Sequence, residues 1–255
     1  MRDKIFNLFF RFWYWYVSTI DKNAEVIFMN FGYSKNQKKI ELEEKDKKDQ
    51  YSAQLYHLVG TGIDIEGKEI LEVGSGRGGG LSFINRYLKP KKVTGLDLCE
   101  KAVLFCNKKY ATENAHFVQG TAENLPFADG SFDAVLNVES SHRYGNMSQF
   151  VKEVYRVLKP NGYLLLTDFR FDYEIEEMES LFIKENFKLL KSEDITENVV
   201  EALRLSTKER EELILKLTPK FLHGIAKQFA GTEGSDTYNK FATREYVYKN
   251  YVLSK

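Results

Sequence analysis

Short apolar runs alternate with amphipathic stretches along the middle of the chain. The strand-like runs span residues 69–73, 92–97, 115–119, 134–138 and 163–167. The helical patterns between them span residues 79–87, 100–110 and 147–158. Parallel strands need crossover connections of this kind, and the crossovers place helices on both faces of the sheet. The pattern therefore predicts an α/β fold built on a parallel sheet.

The chain after residue 170 is predicted to add two strands and a helical insertion. We expect a helix over residues 174–186, a sixth strand over 187–195, helices over 196–230 that break at Pro219, and a final strand over 243–254. On this basis the chain divides into an N-terminal segment with a linker, a core, a sixth strand with a helical cap, and a final strand. These four parts are residues 1–60, 61–170, 171–240 and 241–255.

The first twenty residues are rich in aromatic side chains. They include Phe6, Phe9, Phe10, Phe12, Trp13, Tyr14, Trp15 and Tyr16. This stretch is too short and too often interrupted by charge to span a membrane, and no small-residue cleavage site follows it. Its helical spacing favours a helix packed on the body of the protein; the alternatives are a peripheral membrane contact and a wall of an apolar substrate site. The charge run of residues 41–50 reads as a solvated linker.

Charge and cysteine content narrow the possible functions. Thirty-seven basic residues balance thirty-seven acidic ones, so we expect no nucleic-acid partner. No spacing of His, Asp and Glu matches a metal site, so we expect no metal. Cys99 and Cys106 lie about 10 Å apart along one predicted helix, too far for a disulfide, which indicates reduced thiols and a cytoplasmic protein. The sequence leaves the oligomeric state open.

A glycine-dense turn follows the first strand, in residues 70–80. Gly74, Gly76 and Gly79 have the spacing of a dinucleotide site, and glycine lets the backbone approach a ligand closely. Asp97 ends the second strand about twenty residues later, where a carboxylate can accept hydrogen bonds from both hydroxyls of a ribose. The glycine spacing is weak evidence by itself, and the motifs that follow it make it informative.

Four further motifs follow this turn in order. They are residues 93–97, 120–127, 132–137 and 158–168. Together with the turn they resemble the ordered motifs of the class I S-adenosylmethionine-dependent methyltransferases. The resemblance implies S-adenosylmethionine as the cofactor and a Rossmann-like, seven-stranded, mostly parallel sheet. It also implies that the last strand is antiparallel and enters between the fifth and the sixth, and that the helices of residues 196–230 form an inserted cap.

The same resemblance implies a set of cofactor-binding residues. The set is Glu72, Gly74, Gly76, Asp97, Leu98, Thr121, Ala122, Glu123 and Asn137. Gly74 and Gly76 would bind the amino-acid end of the cofactor, and Leu98 would pack on the adenine. At the position of Thr121 the family usually has an aspartate that binds the adenine amine. A hydroxyl or a backbone group must therefore replace that carboxylate here.

The segment after the fourth strand carries candidate catalytic residues. It lacks the Asn/Asp-Pro-Pro-Tyr sequence of the DNA and amide N-methylating branches and has Glu139 and His142 instead, at a strand end where open α/β sheets bind ligands. An unperturbed histidine suits proton acceptance at neutral pH, so we expect His142 to be the base and to titrate near neutrality. Asp168, which ends the fifth strand, would orient it, and Glu139 is the second choice. A structural histidine and a capping aspartate are the alternatives.

Segments along nearly the whole chain resemble the phthiotriol/phenolphthiotriol dimycocerosates methyltransferase family. These segments are residues 12–15, 25–33, 54–57, 72–80, 122–127 and 136–142. That family O-methylates a hydroxyl on long-chain lipids, so the resemblance implies a hydrophobic small molecule, lipid or polyketide as the acceptor. Tyr33 and Tyr56 lie in matched segments and are candidates to close over the cofactor. A non-catalytic cofactor-binding module and an N- or C-methyltransferase are the alternatives.

Overall fold

The computed structural model describes residues 19–21 and 23–255, which are built around a seven-stranded sheet. The strands are β1 Glu69–Val73, β2 Lys92–Asp97, β3 Ala115–Gln119, β4 Phe132–Val138, β5 Leu158–Phe171, β6 Lys188–Asp194 and β7 Tyr246–Ser254. Their order across the sheet is β3-β2-β1-β4-β5-β7-β6. The first five are parallel to one another, and β7 is antiparallel to both of its neighbours. The predicted Rossmann-like sheet with its last strand antiparallel is confirmed.

Helices cover both faces of this sheet. In the described part of the chain the α-helices are α1 Gln50–Gly60, α2 Gly79–Tyr87, α3 Glu100–Tyr110, α4 Met147–Val157, α5 Ile175–Lys184, α6 Thr196–Leu217, α7 His223–Ala230 and α8 Asp236–Ala242. Side chains alternate between the faces along each strand, so each face has its own core. On β4, for example, Ala134, Leu136 and Val138 join the core with α1 and α2, whereas Val135 joins the core with α4 and α5.

The predicted helical insertion is present between β6 and β7. Helix α6 ends before Pro219, a short 3₁₀ turn follows, and α7 ends at Ala230, just before Gly231, which has a φ of +62°. The short helix α8 was not predicted from the sequence. It begins after Ser235, whose hydroxyl accepts a hydrogen bond from the backbone N–H of Tyr238.

Two predictions are corrected by the structure. The charge run does not act as a solvated linker throughout, because residues 44–49 form a 3₁₀ helix in which buried Asp46 accepts hydrogen bonds from Arg86 and Tyr87. Strand β5 is longer than predicted, because residues on both sides of Asp168 pair with β7. Asp168 therefore lies inside the strand and not at its end.

Two further predictions concern the N-terminus and the membrane. The predicted aromatic helix of residues 1–20 lies outside the described residues except at its last two positions. Among the helices that the structure does describe, none combines the length and the apolar character needed to cross a bilayer.

Candidate active site

The glycine turn lies between β1 and α2, at the carboxyl edge of the sheet. Gly74, Gly76 and Gly78 all have positive φ, a backbone conformation that other residues adopt only with strain. Gly74 also lacks room for a side chain, because a Cβ there would lie 2.4 Å from Oγ of Ser140. The turn is fixed from β2, since the backbone N–H groups of Gly74 and Ser75 both donate to the carbonyl of Leu96.

Glu72 lies buried in β1, directly before the turn. Its Oε1 accepts a hydrogen bond of 2.7 Å from the Tyr56 hydroxyl. Its Oε2 is buried and, within the described residues, has no hydrogen-bond partner. Burial raises the pKa of Glu72 to about 8, against the effect of the hydrogen bond from Tyr56.

Tyr56 lies against the start of α2, and its hydroxyl contacts Glu72. A Cβ added to Gly80 would lie 1.8 Å from the Tyr56 ring, so the two residues are in close contact. The sequence predicted that Tyr56 would close over a cofactor. The ring is buried and its hydroxyl donates to Glu72; that Tyr56 closes over the cofactor stays a prediction.

Asp97 lies at the end of β2, beside the glycine turn. Its Oδ2 accepts a hydrogen bond of 2.7 Å from the Gly76 N–H, and its Oδ1 accepts one of 2.8 Å from the Cys99 N–H. Burial raises the pKa of Asp97, against the effect of these two bonds. Leu98 follows it and is 53% exposed, which leaves an apolar surface next to the carboxylate.

The loop after β3 holds the next three predicted residues. Thr121 is exposed, and its hydroxyl accepts a hydrogen bond from the Glu123 N–H at 3.3 Å. Ala122 is buried in the core beside α4. The Glu123 carboxylate accepts a hydrogen bond of 2.7 Å from the Asn146 N–H, so it joins this loop to the start of α4.

Asn137 lies at the end of β4, buried next to β1. Its amide nitrogen donates to the carbonyl of Val73 at 2.9 Å and lies within 3 Å of the hydroxyls of Ser140 and Tyr144. Its Oδ1 is buried without a partner among the described residues, and the same holds for Oγ of Ser75 in the turn. Buried polar atoms are rarely left unpaired, so these atoms point to a polar ligand at this edge.

His142 and Asp168 are brought together as predicted. Nδ1 of His142 lies 2.7 Å from Oδ1 of Asp168, whose side chain is fully buried. The Asp168 carboxylate accepts this hydrogen bond, so Nδ1 carries the proton and Nε2 carries the lone pair. The imidazole is 11% exposed and packs on the Phe169 ring at 4.3 Å between ring centroids.

Burial governs the protonation of this pair. It lowers the pKa of His142 to about 4, although Asp168 favours the charged form. Burial also acts on Asp168, but His142 and Arg170 outweigh it and hold the pKa of this carboxyl below its usual range. The predicted titration of His142 near neutrality is therefore wrong. At pH 7 the imidazole is neutral and Asp168 is ionised.

Ser141 and Arg170 belong to the same site and were missed in the sequence. The Ser141 hydroxyl donates to Oδ2 of Asp168 at 2.7 Å, and Arg170 donates to that hydroxyl at 2.9 Å. Only their positions in the sequence could have indicated a role in the site. Ser141 precedes His142, and Arg170 lies two residues after Asp168 on the same side of β5.

Neither Glu139 nor Tyr33 is hydrogen-bonded to this group within the described part of the chain, although the charge of Asp168 acts on Glu139. Glu139 has a φ of +45°, and its Oε1 accepts hydrogen bonds from the Phe31 N–H at 2.8 Å and from the Tyr248 hydroxyl at 2.6 Å. Burial raises its pKa to about 8. Tyr33 lies against α1, where its N–H donates to the carbonyl of Tyr51 and its carbonyl accepts from the Gln54 side chain, and burial raises the pKa of its hydroxyl.

Arg77 is a further residue that sequence reasoning missed. It is fully buried and donates to the carbonyls of Val26 and Asp21 and to the Asp21 carboxylate. It thereby holds Asp21 and Val26 against the turn, where the Gly79 N–H also donates to the carbonyl of Ile27. The sequence feature that could have revealed Arg77 is its position as a charged residue inside a glycine run.

Comparison with known proteins gives the family. A model described as "Methyltransferase domain" matches residues 71–166. A fatty-acid O-methyltransferase from Mycolicibacterium smegmatis is 38% identical over 243 residues, which cover 95% of this chain and 88% of that protein. The chain belongs to the class I S-adenosylmethionine-dependent methyltransferases. A phthiotriol/phenolphthiotriol dimycocerosates methyltransferase from Mycobacterium tuberculosis is 35% identical over 246 residues, which cover 96% of this methyltransferase and 91% of that one.

Solved structures share the fold of this methyltransferase at low sequence identity. The cyclase SpnF superimposes with a TM-score of 0.67 at 18% identity, covering 93% of this chain and 91% of that one. A geranyl diphosphate methyltransferase in complex with S-adenosylmethionine superimposes with a TM-score of 0.66 at 13% identity, covering 90% and 99%.

The residues at the carboxyl edge fit the cofactor of this family. S-Adenosylmethionine carries an amine, a carboxylate and two ribose hydroxyls. Oε2 of Glu72 and Oδ1 of Asn137 are buried acceptors without partners in the part of the chain that the structure describes. The glycine turn gives close access to the backbone, and Asp97 lies beside it with exposed Leu98.

Proposed function

We propose that this methyltransferase transfers a methyl group to a hydroxyl of a hydrophobic small molecule such as a lipid or polyketide. The observation that carries the proposal is the hydrogen bond of 2.7 Å between Nδ1 of His142 and Asp168. A hydroxyl is a weak nucleophile until a base removes its proton, and this pair supplies a neutral imidazole with a free lone pair on Nε2. The names of the two relatives, which refer to fatty acids and phthiotriols, support an acceptor with a long apolar part.

Residues at the carboxyl edge of the sheet would bind the cofactor. Glu72 and Asn137 would hold the amine, the backbone at Gly74 and Gly76 the carboxylate, and Asp97 the ribose. Leu98 would cover one face of the adenine, and the loop of Thr121, Ala122 and Glu123 would supply its polar contacts. Tyr56 would act through Glu72, which its hydroxyl contacts at 2.7 Å.

The mechanism follows from the chemistry of His142 and Asp168. Bound S-adenosylmethionine supplies a methyl group on a positively charged sulfur, which is an electrophile. Nε2 of His142 accepts the proton of the acceptor hydroxyl as its oxygen becomes nucleophilic. Ionised Asp168 stabilises the imidazolium that results. Hydrogen bonds from the Ser141 hydroxyl and from the backbone N–H of His142 hold the carboxylate in place. Burial of the pair excludes water, which strengthens these interactions.

A carboxyl group is the second candidate acceptor. The relative that is named a fatty-acid O-methyltransferase favours it. A carboxylate is already ionised at neutral pH, so its methylation needs orientation and no base. The His142–Asp168 pair would then have no proton to remove, which is why we prefer the hydroxyl.

The proposal is tested by incubating the native enzyme with methyl-labelled S-adenosylmethionine and either n-dodecanol or dodecanoate. We expect label in the dodecyl methyl ether. Label only in the methyl ester would replace the hydroxyl with the carboxyl as acceptor. Binding of the cofactor with no transfer to these or to hydroxylated polyketides would favour a non-catalytic cofactor-binding module.

A further inference from the structure

A line of aromatic rings leads from His142 to the protein surface. The Phe169 ring lies 4.3 Å from the imidazole and 5.0 Å from the Tyr246 ring, measured between centroids. Tyr246 lies 4.8 Å from Phe171, which stacks on Tyr173 at 5.3 Å. We call Phe169, Tyr246, Phe171 and Tyr173 the aromatic track.

Strand register explains why these rings share one surface. Phe169 and Phe171 lie two residues apart on β5, so their side chains point to the same face of the sheet. Tyr246 lies opposite Phe171 in the antiparallel pairing of β5 with β7. Both strands continue beyond the last residue of β4 that pairs with β5, so the track extends outward from the site.

Exposure rises along the track. Phe169 is 8% exposed beside the imidazole, Phe171 and Tyr246 are partly buried, and Tyr173 is 76% exposed. Lys240 lies beside the middle of the track, with Nζ 5.7 Å from the Phe171 ring centroid and 5.2 Å from that of Tyr246. The aromatic track thus runs from a buried base to solvent, with Phe241 and Lys240 of α8 packed along it. Such a line of rings suits a ligand that is long, apolar and reactive at one end.

We propose that the aromatic track binds the apolar chain of the acceptor and makes the enzyme selective for long chains. This inference rests on the proposed function, because it places the reactive end of the acceptor at His142. The occupant follows from continuity with the site: a chain lying along the rings puts its terminal hydroxyl at the imidazole. A folded protein partner would cover Tyr173 without reaching His142, whose side chain is 11% exposed.

The test is a calorimetric measurement of alcohol binding to the enzyme loaded with S-adenosylhomocysteine. The probes are n-dodecanol, which can cover the track, and n-butanol, which cannot. Tyr173→Ser is the main variant because its exposed ring leaves the fold intact, and Phe171→Ser is the second. Phe221→Ser is the matched control, since Phe221 is 82% exposed on the helical cap.

We expect each track variant to weaken dodecanol binding about tenfold, the loss typical of a missing apolar pocket contact. Butanol binding should stay unchanged, and Phe221→Ser should bind both alcohols as the native enzyme does. Unchanged dodecanol affinity in Tyr173→Ser and Phe171→Ser would overturn the inference, and so would an equal loss in Phe221→Ser or no dodecanol binding by the native enzyme. Track-dependent binding of dodecanol without methyl transfer to it would contradict the proposed function and would show the track to be an apolar binding surface only.

Discussion

Asp168 is held as an anion by the groups that surround it. Oδ1 accepts hydrogen bonds from Nδ1 of His142 and from the Phe169 N–H, and Oδ2 accepts them from the Ser141 hydroxyl and the His142 N–H. Arg170 adds an ion pair at 3.3 Å. A buried carboxylate with this many donors stays ionised, so the tautomer of His142 is fixed without any further group.

The lowered pKa of His142 predicts an unusually flat pH profile. Its pKa in the folded enzyme is about 4, below the ordinary value of 6.5, so the neutral base is fully populated at neutral pH. At saturating cofactor, kcat/KM for dodecanol should be constant from about pH 6 to pH 8 and fall only below about pH 5. Between the two pKa values the unfolded chain binds more protons, so this residue makes the fold less stable as the pH falls.

Stopped assays with labelled cofactor across this pH range measure the profile. Glu139→Gln is the control, because Glu139 is the other buried carboxyl near Asp168 and its titration must be told apart from that of His142. A rise through about pH 6.5 that His142→Ala removes would contradict the burial argument.

Thr121 offers a second prediction at the residue scale. It is exposed, and a carboxylate at this position can accept the Glu123 N–H that the hydroxyl now accepts at 3.3 Å. Thr121→Asp should therefore keep or improve the affinity for S-adenosylhomocysteine, measured by calorimetry. Thr121→Val, which removes the acceptor, is the comparison. A large loss of affinity in Thr121→Asp would mean that adenine is bound elsewhere.

At the scale of elements, the segment before α1 is ordered by polar groups and not by regular secondary structure. In this segment Asp21 and Val26 accept hydrogen bonds from buried Arg77. The carbonyls of Asn30 and Phe31 accept hydrogen bonds from Arg210. Breaking a buried ion pair such as Arg77–Asp21 leaves a charge without a partner, which typically costs about 3–5 kcal/mol. These hydrogen bonds join the segment to the glycine turn through Arg77 and to α6 through Arg210.

The contact between α1 and α2 predicts that Gly80→Ala disturbs the site. The new Cβ would lie 1.8 Å from the Tyr56 ring, which would displace the hydroxyl that binds Glu72. We expect a loss of about 1–3 kcal/mol in unfolding free energy, from thermal or denaturant unfolding, with weaker cofactor binding.

Gly224→Ala in α7 is the control, because a Cβ there meets nothing within 4 Å. It should gain up to about 1 kcal/mol from helix propensity. Equal stability of Gly80→Ala and the native enzyme would show that Tyr56 can move without cost.

At the scale of the whole molecule, the order of apolar runs and the ordered motifs were enough to predict the sheet. Parallel strands leave strong signals because both of their faces are buried, as in β1 and β4. The pairing of His142 with Asp168 was also predictable, because β4 and β5 are neighbours and parallel, so their carboxyl ends lie at one edge.

The remaining features depend on contacts that sequence spacing does not contain. The length of β5 depends on its pairing with β7, and the paired residues of β7 lie nearly eighty positions later in the sequence. The lowered pKa of His142 depends on burial of the imidazole. Tyr56 hydrogen-bonds to Glu72 and packs against Gly80, and no local motif shows such contacts between separate elements.

His142→Ala shows whether His142 is the base for methylation of a hydroxyl. Turnover of n-dodecanol and affinity for S-adenosylhomocysteine are measured in the native enzyme, in His142→Ala and in His57→Ala, a half-buried histidine on α1 that serves as control. We predict that His142→Ala lowers kcat about 10²–10⁴-fold with the affinity changed by less than about threefold, and that His57→Ala matches the native enzyme. Native turnover of dodecanol by His142→Ala would contradict this role of His142.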